Sequence, residues 1–436
     1  MTRRARRCAR VAVPRLAAVM ATFGITFALT PEQKQLNIES FEHVWKTVGD
    51  KHWQTPPAGL DWQAIHDELR PKIEKADSMA AAREVMNDML GRLHQTHFGV
   101  IPAEVYSDVK ENGAAGGSAE GSTGLDVRLI GSQVLVTSVE AGSSAASQGV
   151  KRGWEIRKID GQDVAPVVAK LEQSYGKSSM RDVVERRAIL SRLAGGIGQT
   201  VSVEFLDGAS QHVTKMLVRA KPKGELVQFG YLYPSYVWLD SSRIGAGDIG
   251  YVSFNLFLDP TRLMSLFGQA VGSCNHCAGF IIDLRGNPGG LGAMAMGIAG
   301  WFIDAPDQRL GTLYLRNTTL KFTLNPRKDV YKGPLAILVD GASASTSEIL
   351  AEGLKDLGRA EVFGTRTAAA ALPSVFEMLP NGDGFQYAIA NYISEGGKPL
   401  EGLGVIPDIE APLTRQALLA GRDPALDAAI EWIKSK

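Results

Sequence analysis

Two stretches of this chain repeat one local pattern, and that pattern restricts the fold more than any other feature. "CAGFIIDLRGNPGGLGAMAMGIAGWFI" covers 277–303, and "GPLAILVDGASASTSEILAEGLKDLG" covers 333–358. Each runs from an apolar strand through a turn of small residues into a helix. The strands carry no polar alternation, so they are expected to be buried. Strand–turn–helix repeats of this kind argue for an α/β class, a largely parallel sheet with helices packed on it. In such folds functional sites lie in the turns at the C-terminal ends of the strands. Both turns, 286–290 and 341–347, hold more glycine and serine than a simple link requires.

The second turn has two readings. Ser345-Thr346-Ser347-Glu348 fits the capping box, in which serine and glutamate satisfy each other's backbone N–H groups at a helix start. It also fits a nucleophile on a tight strand-to-helix turn. A serine hydroxyl is a weak nucleophile near neutral pH and needs both a base and donors for a developing oxyanion. Gly289 and Gly290 could supply such donors, because glycine lets the backbone approach closely. "GNPGG" could equally be only a tight turn. It is not a phosphate loop: there is no Gly-Lys-Ser/Thr, and the spacing is not GxGxxG.

At 436 residues the chain should form two or three domains. Lys+Arg and Asp+Glu each number 47, so no global charge draws it to nucleic acid. The seven histidines are scattered. Cys274 and Cys277 in "SCNHCAGF" are too few ligands for a closed zinc site, and are expected to be a structural pair, disulfide-bonded if the protein is exported. No metal and no cofactor are expected.

Residues 1–30 place a basic segment, "MTRRARRCARVAVPR", before an apolar one, "LAAVMATFGITFALT". That is the layout of a signal peptide. The expected location is exported, periplasmic or secreted, with membrane attachment only if the segment stays uncleaved. Residues 31–110 read as a helical N-terminal unit: Val85, Met86, Met89, Leu90 and Leu93 share one helical face, and "HFGVIP" looks extended and ends the unit. A Gly/Ala/Ser-rich stretch opens a β-rich unit at 111–222, which contains a helical stretch at 165–194 and a hairpin turning at Asp207-Gly208. The strand–helix alternation fills 223–436.

Taken in order, "FIIDLRGNPGG", "LAILVDGASASTSEILAEGLKDLGRAEVFGTRTAAAALPS" and "LEGLGVIPDIE" resemble the catalytic domain of the tail-specific (C-terminal processing) proteases. Residues 121–164 resemble the PDZ domain those proteases carry, and the helical unit ending in "LHQTHFGVIP" matches as well. The resemblance implies a ClpP/crotonase-like superhelical catalytic domain. It implies a serine endopeptidase that cleaves protein substrates through an acyl-enzyme. Its partners would be proteins or peptides, which a PDZ domain can hold by their C-termini.

By that resemblance Ser345 is the nucleophile, and Thr346 N–H with a glycine of 289–290 forms the oxyanion hole. In one branch of the family a lysine completes a Ser-Lys dyad; here Ala370 stands at its position. The tricorn-core-like branch uses instead a histidine preceded by serine, and a glutamate before Gly-Val-x-Pro-Asp. The matching residues are Thr96-His97 and Glu401, with His97 as general base, titrating near pH ~6.5 if unperturbed, and Glu401 orienting it directly or through Thr96. His94 competes for the base role. Read without the resemblance, His97 is a core residue continuing the Met86–Leu90–Leu93 stripe, and Glu401 is a loop carboxylate. In the PDZ-like segment, Ser122, Thr123, Gly124, Leu125 and Asp126 would capture a peptide carboxylate while the peptide adds a strand. Two rivals keep the fold and change the function: a catalytically inactive peptide-binding protein, and a hydrolase of small acyl substrates.

Overall fold

The computed structural model describes residues 29–103, 120–176, 178–232 and 234–436. The expected signal segment lies, but for its last two residues, outside them. No helix among the described residues is long and apolar enough to cross a membrane.

The two repeated units share one six-stranded sheet. Its order is Leu239–Ile244, Ile249–Phe254, Gly279–Asp283, Leu335–Val339, Glu361–Gly364 and Ile409–Glu410. The first pair is antiparallel and the rest are parallel. Side chains alternate across a strand. Phe280, Ile282, Leu335, Ile337 and Val339 face the helices Pro260–Gly272, Gly292–Ala299 and Thr346–Asp356. Ile281, Ala336 and Leu338 face the C-terminal helix Pro424–Lys434. Both sheet faces are covered, which explains strands without a polar side. Gly279–Asp283 and Leu335–Val339 are adjacent and in register, Phe280 against Leu335 and Asp283 against Leu338. Their C-terminal turns therefore emerge side by side.

The α/β class stands, but the ClpP/crotonase-like expectation is corrected. The strand–turn–helix units do not stack as turns of a superhelix. Between them the chain leaves the main sheet: Arg309–Leu315 pairs with Thr319–Thr323 and Ala390–Ser394 in a separate three-stranded sheet. The result is one open sheet between helical layers with further β-structure beside it.

The N-terminal helices Pro31–Lys51, Trp62–Lys75 and Met79–Gly91 are capped by Thr30, Asp61 and Ser78. Met86, Met89, Leu90 and Leu93 are buried, but their cluster also contains Leu379, Phe385 and Tyr387. "HFGVIP" does not close the unit off. Gly99–Ile101 pairs with Gly384–Ala388, Val100 against Phe385, and Arg83 grips the buried Asp383 at 2.7 Å. The helices thus share their core with the 379–387 region of the C-terminal half, and His97 is carried to it just ahead of this strand.

The PDZ-like unit holds its own sheet, in the order Leu125–Ile130, Gln133–Val139, Glu155–Ile159, Thr200–Leu206, His212–Val218, over a core including Val127, Ile156, Ile189 and Phe205. It rests on the turn that follows Leu335–Val339 and on the segment 368–370. Arg128 pairs with Asp340 at 2.8 Å, and Met180 and Val183 pack on Ala344, Ala368 and Ala370. Cys274 and Cys277 are disulfide-bonded just after the helix Pro260–Gly272.

Candidate active site

The turn after Gly279–Asp283 is built around Asn287, which is fully buried. Its Nδ2 donates to Phe254 O at 2.9 Å, and its Oδ1 accepts Gly289 N–H at 3.0 Å. Its carbonyl accepts Ala344 N–H at 3.1 Å and the Ser347 hydroxyl at 2.9 Å. Asn287 thereby clamps the first turn to the second. The contact is too close for a side chain at Gly289: a Cβ there would lie 2.7 Å from Ser345 Cβ and 2.8 Å from Thr346 N, on a backbone with φ +98°.

Three serines share the second turn, but two hydroxyls are occupied. Ser343 donates to Leu284 O at 2.8 Å, and Ser347 is tied to Asn287. Ser345 stands at φ +56°, ψ −116°, a region costly for any residue but glycine, on the bend between strand and helix. Its N–H is held by Ala370 O and by Glu348 Oε2, both at 2.8 Å. The residues of the capping box are present. Even so, Glu348 N–H bonds to the Ser345 carbonyl at 2.8 Å, and the Ser345 hydroxyl makes no capping bond. That hydroxyl is the one of the three free for chemistry.

Thr346 N–H opens the helix and has no intrahelical acceptor. Gly290 N–H likewise meets no acceptor among the described residues, whereas Gly289 N–H is spent on Asn287. Of the two glycines, Gly290 is the one with a donor to offer. Gly289 gives the clearance.

His97 lies at φ +62° between the helix Met79–Gly91 and the strand Gly99–Ile101. Its Nδ1 is 2.8 Å from Thr96 Oγ1, and Thr96 Oγ1 donates to Glu401 Oε2 at 2.9 Å. A hydroxyl has one proton. With that proton on Glu401, Thr96 accepts from His97 Nδ1–H, which leaves Nε2 as the imidazole's acceptor. Glu401 Oε1 also takes Thr96 N–H at 2.8 Å, and Oε2 takes Ala371 N–H at 3.2 Å. Burial pushes the His97 pKa down to about 4, so the ring is neutral at pH 7, and the ordinary histidine value does not apply. Burial also raises the Glu401 carboxyl, against the pull of Thr96 and Ala371. No hydrogen bond joins Ser345 Oγ to His97 among the described residues. The two are linked through 369–371, since Ala370 O holds Ser345 N–H and Ala371 N–H holds Glu401.

His94 is exposed and has no part in this relay. Ala370 is fully buried in an alanine cluster. Lys355 pairs with Asp408 at 2.8 Å, and Lys398 pairs with Glu352 and Asp356. The Glu352 hydrogen bond chiefly raises the Lys398 pKa, which keeps that amine charged.

In the PDZ-like segment Leu125 and Asp126 already belong to a strand paired antiparallel with Gln133–Val139, and two further backbone donors are occupied. Ser122 N–H bonds to Ala220 O at 2.8 Å, and Gly124 N–H to Ser122 Oγ at 3.0 Å. Asp126 is paired with Arg128 and Arg186, while Thr123 and Leu125 are buried. The capping-box reading anticipated the bond from Ser345 N–H to Glu348, but the sequence reading did not find Asn287, the three further bonds of Glu348 to 367–370, or the Arg128–Asp340 contact. A lone buried Asn in "GNPGG" was the only available signal.

Residues 248–411 match the model of Peptidase family S41, and residues 37–91 match the Tricorn protease C1 domain. A carboxyl-terminal-processing protease of Synechocystis is 26% identical over 452 residues, covering 99% of this chain and 95% of that one. Among solved structures, the photosystem II D1 C-terminal processing protease superposes with a TM-score of 0.57 at 22% identity, over 92% of this chain and 97% of that one. The tricorn protease superposes with a TM-score of 0.52 at 18% identity, over 92% of this chain and 37% of that one. This is the fold that replaces the ClpP/crotonase-like expectation. Fold and turns together define a serine-type peptidase. More narrowly, the chain is an endopeptidase of the C-terminal-processing kind.

The placement on a tricorn-core-like Ser/His/Glu branch is corrected. The segment carrying Ser345 matches family S41 at large, the full-length relative is a carboxyl-terminal-processing protease, and the family works with a Ser-Lys dyad. The base in this chain has to be argued from its own residues, because Ala370 stands where that lysine would be.

Proposed function

We propose that the peptidase is exported and cleaves protein substrates through an acyl-enzyme on Ser345, with His97 as general base. Thr96 and Glu401 orient the base, and Gly290 and Thr346 supply the oxyanion donors, with Gly289 beside them. The observation that carries this reading is the Glu401–Thr96–His97 relay, which leaves a neutral Nε2 as the one ring acceptor. Ser345 Oγ attacks the scissile carbonyl and its proton passes to His97 Nε2. The carbonyl oxygen turns its charge toward the Gly290 and Thr346 N–H groups. The C–N bond then breaks, with the proton going from His97 to the leaving amine. Water repeats the sequence to release the acid and restore Ser345. The Ser345–His97 hydrogen bond forms as substrate binds, since such contacts commonly tighten only in the Michaelis complex. The basic-then-apolar leader supports export.

The relay has a direct test. Thr96→Val keeps the shape and removes the hydroxyl, so kcat is expected to fall on the order of 10²-fold with KM little changed. Thr96→Ser should keep most activity. Equal rates for Val and wild type would remove Thr96 and Glu401 from the mechanism.

Substrate chains are proposed to add to the edge strand Leu125–Ile130, their C-termini held near Ser122–Asp126. Amidating a peptide substrate should then raise its KM several-fold with kcat retained. Identical kinetics for acid and amide would refute C-terminal capture. A fluorophosphonate probe run alongside separates the inactive peptide-binding alternative, which would not label.

A further inference from the structure

Glu348 is fully buried on the first turn of the helix Thr346–Asp356, and its carboxylate is saturated. Oε2 accepts Ser345 N–H at 2.8 Å and Ala370 N–H at 3.0 Å. Oε1 accepts Ala369 N–H at 2.8 Å and the Thr367 hydroxyl at 2.5 Å. Thr367 Oγ1 in turn accepts Val405 N–H at 2.7 Å. A cap needs one bond of this kind, and the other three run to 367–370. That segment continues into Ala371, whose N–H holds Glu401, while Ala369 O accepts Gly402 N–H at 2.9 Å. One carboxylate thus joins the nucleophile's backbone to the segment that fixes the carboxylate behind Thr96 and His97.

We propose that Glu348 is a positioning residue for the peptidase reaction, setting Ser345 in register with Ala369–Ala371 and through them with Glu401. Its oxygens are filled, so it exchanges no proton with substrate. It acts by holding Ser345 in a backbone conformation the residue would otherwise leave. In the family's dyad a lysine at position 370 would occupy this region. Here the segment is alanine, and Glu348 fastens its backbone.

The group is also sensitive to pH. Burial pushes its pKa up to about 7, although Thr367, Ser345, Ala370 and Ala369 all donate to the ionised form. No charged side chain contributes to that shift; Glu401, bonded to Ala371, is the next carboxylate on the segment. Protonation would give the carboxyl a proton where four donors already point, and would loosen the register. Activity should therefore fall as pH drops through about 7.

Glu348→Gln sets an amide NH₂ against backbone N–H donors. We expect kcat to fall roughly 10- to 100-fold with KM within about twofold, and the step near pH 7 to vanish. A merely structural role would lower the thermal midpoint and leave the shape of the profile unchanged. Thr367→Val is the second variant. It removes one donor to the ionised form, so the step should move up by on the order of one pH unit. Wild-type kcat and profile in Glu348→Gln, or an unmoved step in Thr367→Val, would overturn the proposal. It rests on Ser345 being the nucleophile, and fluorophosphonate labelling separates the two failures. A wild type labelled elsewhere than Ser345 defeats the nucleophile assignment. Ser345 labelled at equal rates in wild type and Glu348→Gln defeats only the positioning role.

Discussion

Ser345→Ala is expected to lose roughly 10⁴- to 10⁶-fold in kcat/KM, about 5–8 kcal/mol of barrier, while the protein stays folded. The two halves of that expectation have different origins. Catalysis should collapse because Ser343 and Ser347 cannot substitute: their hydroxyls donate to Leu284 O and Asn287 O, inside the protein. Stability should change by less than the ~1 kcal/mol usual for a lost N-cap. The Ser345 hydroxyl makes no cap bond, and the N–H that Glu348 holds belongs to the backbone and survives the substitution. Rate assays on a peptide substrate and a thermal melt of the same preparation check both. Full activity in Ser345→Ala, or probe labelling that transfers to Ser347, would show that another hydroxyl carries the acyl group.

What could be read from the chain alone follows from the range of the interactions. The two strand–turn–helix units were legible because a strand buried on both faces has to be apolar along its buried length, as in "FII" and "LAILV". The turns could be found because a nucleophile and a close backbone approach both demand small residues. Ser345 was singled out by resemblance; what distinguishes it physically from its neighbours is that Ser343 and Ser347 bond to the other turn, which no local pattern records. The same limit explains the other departures. "HFGVIP" reads as the end of a unit because nothing in it names Gly384–Ala388 as its partner. The ClpP/crotonase-like expectation extended a correct local repeat to a global stacking that the separate sheet of Arg309–Leu315 breaks. Glu348 looked like a cap because three of its four donors come from 367–370, and a run of alanines carries no sign that its backbone is the ligand. Gly289 and Gly290 read alike, and only the Asn287 bond tells them apart.

His97→Ala should cost nearly as much as Ser345→Ala, since the members of a catalytic unit are not additive. The alternative is a Ser-Lys dyad with a displaced lysine, and Lys355 and Lys398 are its candidates. Both are engaged with carboxylates, and Lys398 has its pKa raised by Glu352, the wrong direction for a base. His97 has its pKa pushed down to about 4 by burial. The base must be unprotonated to take the serine proton, so activity rises as pH climbs through the pKa of the base. For His97 that step lies well below the ordinary ~6.5. It should be resolved in Glu348→Gln, where the step near 7 is gone, and no further rise should occur above pH ~8. A lysine base would place its step on the alkaline side. The same shift has a stability consequence: because the folded pKa is depressed, the neutral ring contributes stability above pH ~6.5 that is lost as pH falls toward 4. Removing His97 should flatten that part of the acid stability profile as well as abolish activity. His94→Ala should do neither. Retained activity in His97→Ala, together with loss on mutating Lys355 or Lys398, would return the enzyme to the Ser-Lys chemistry of the peptidase family whose model it matches.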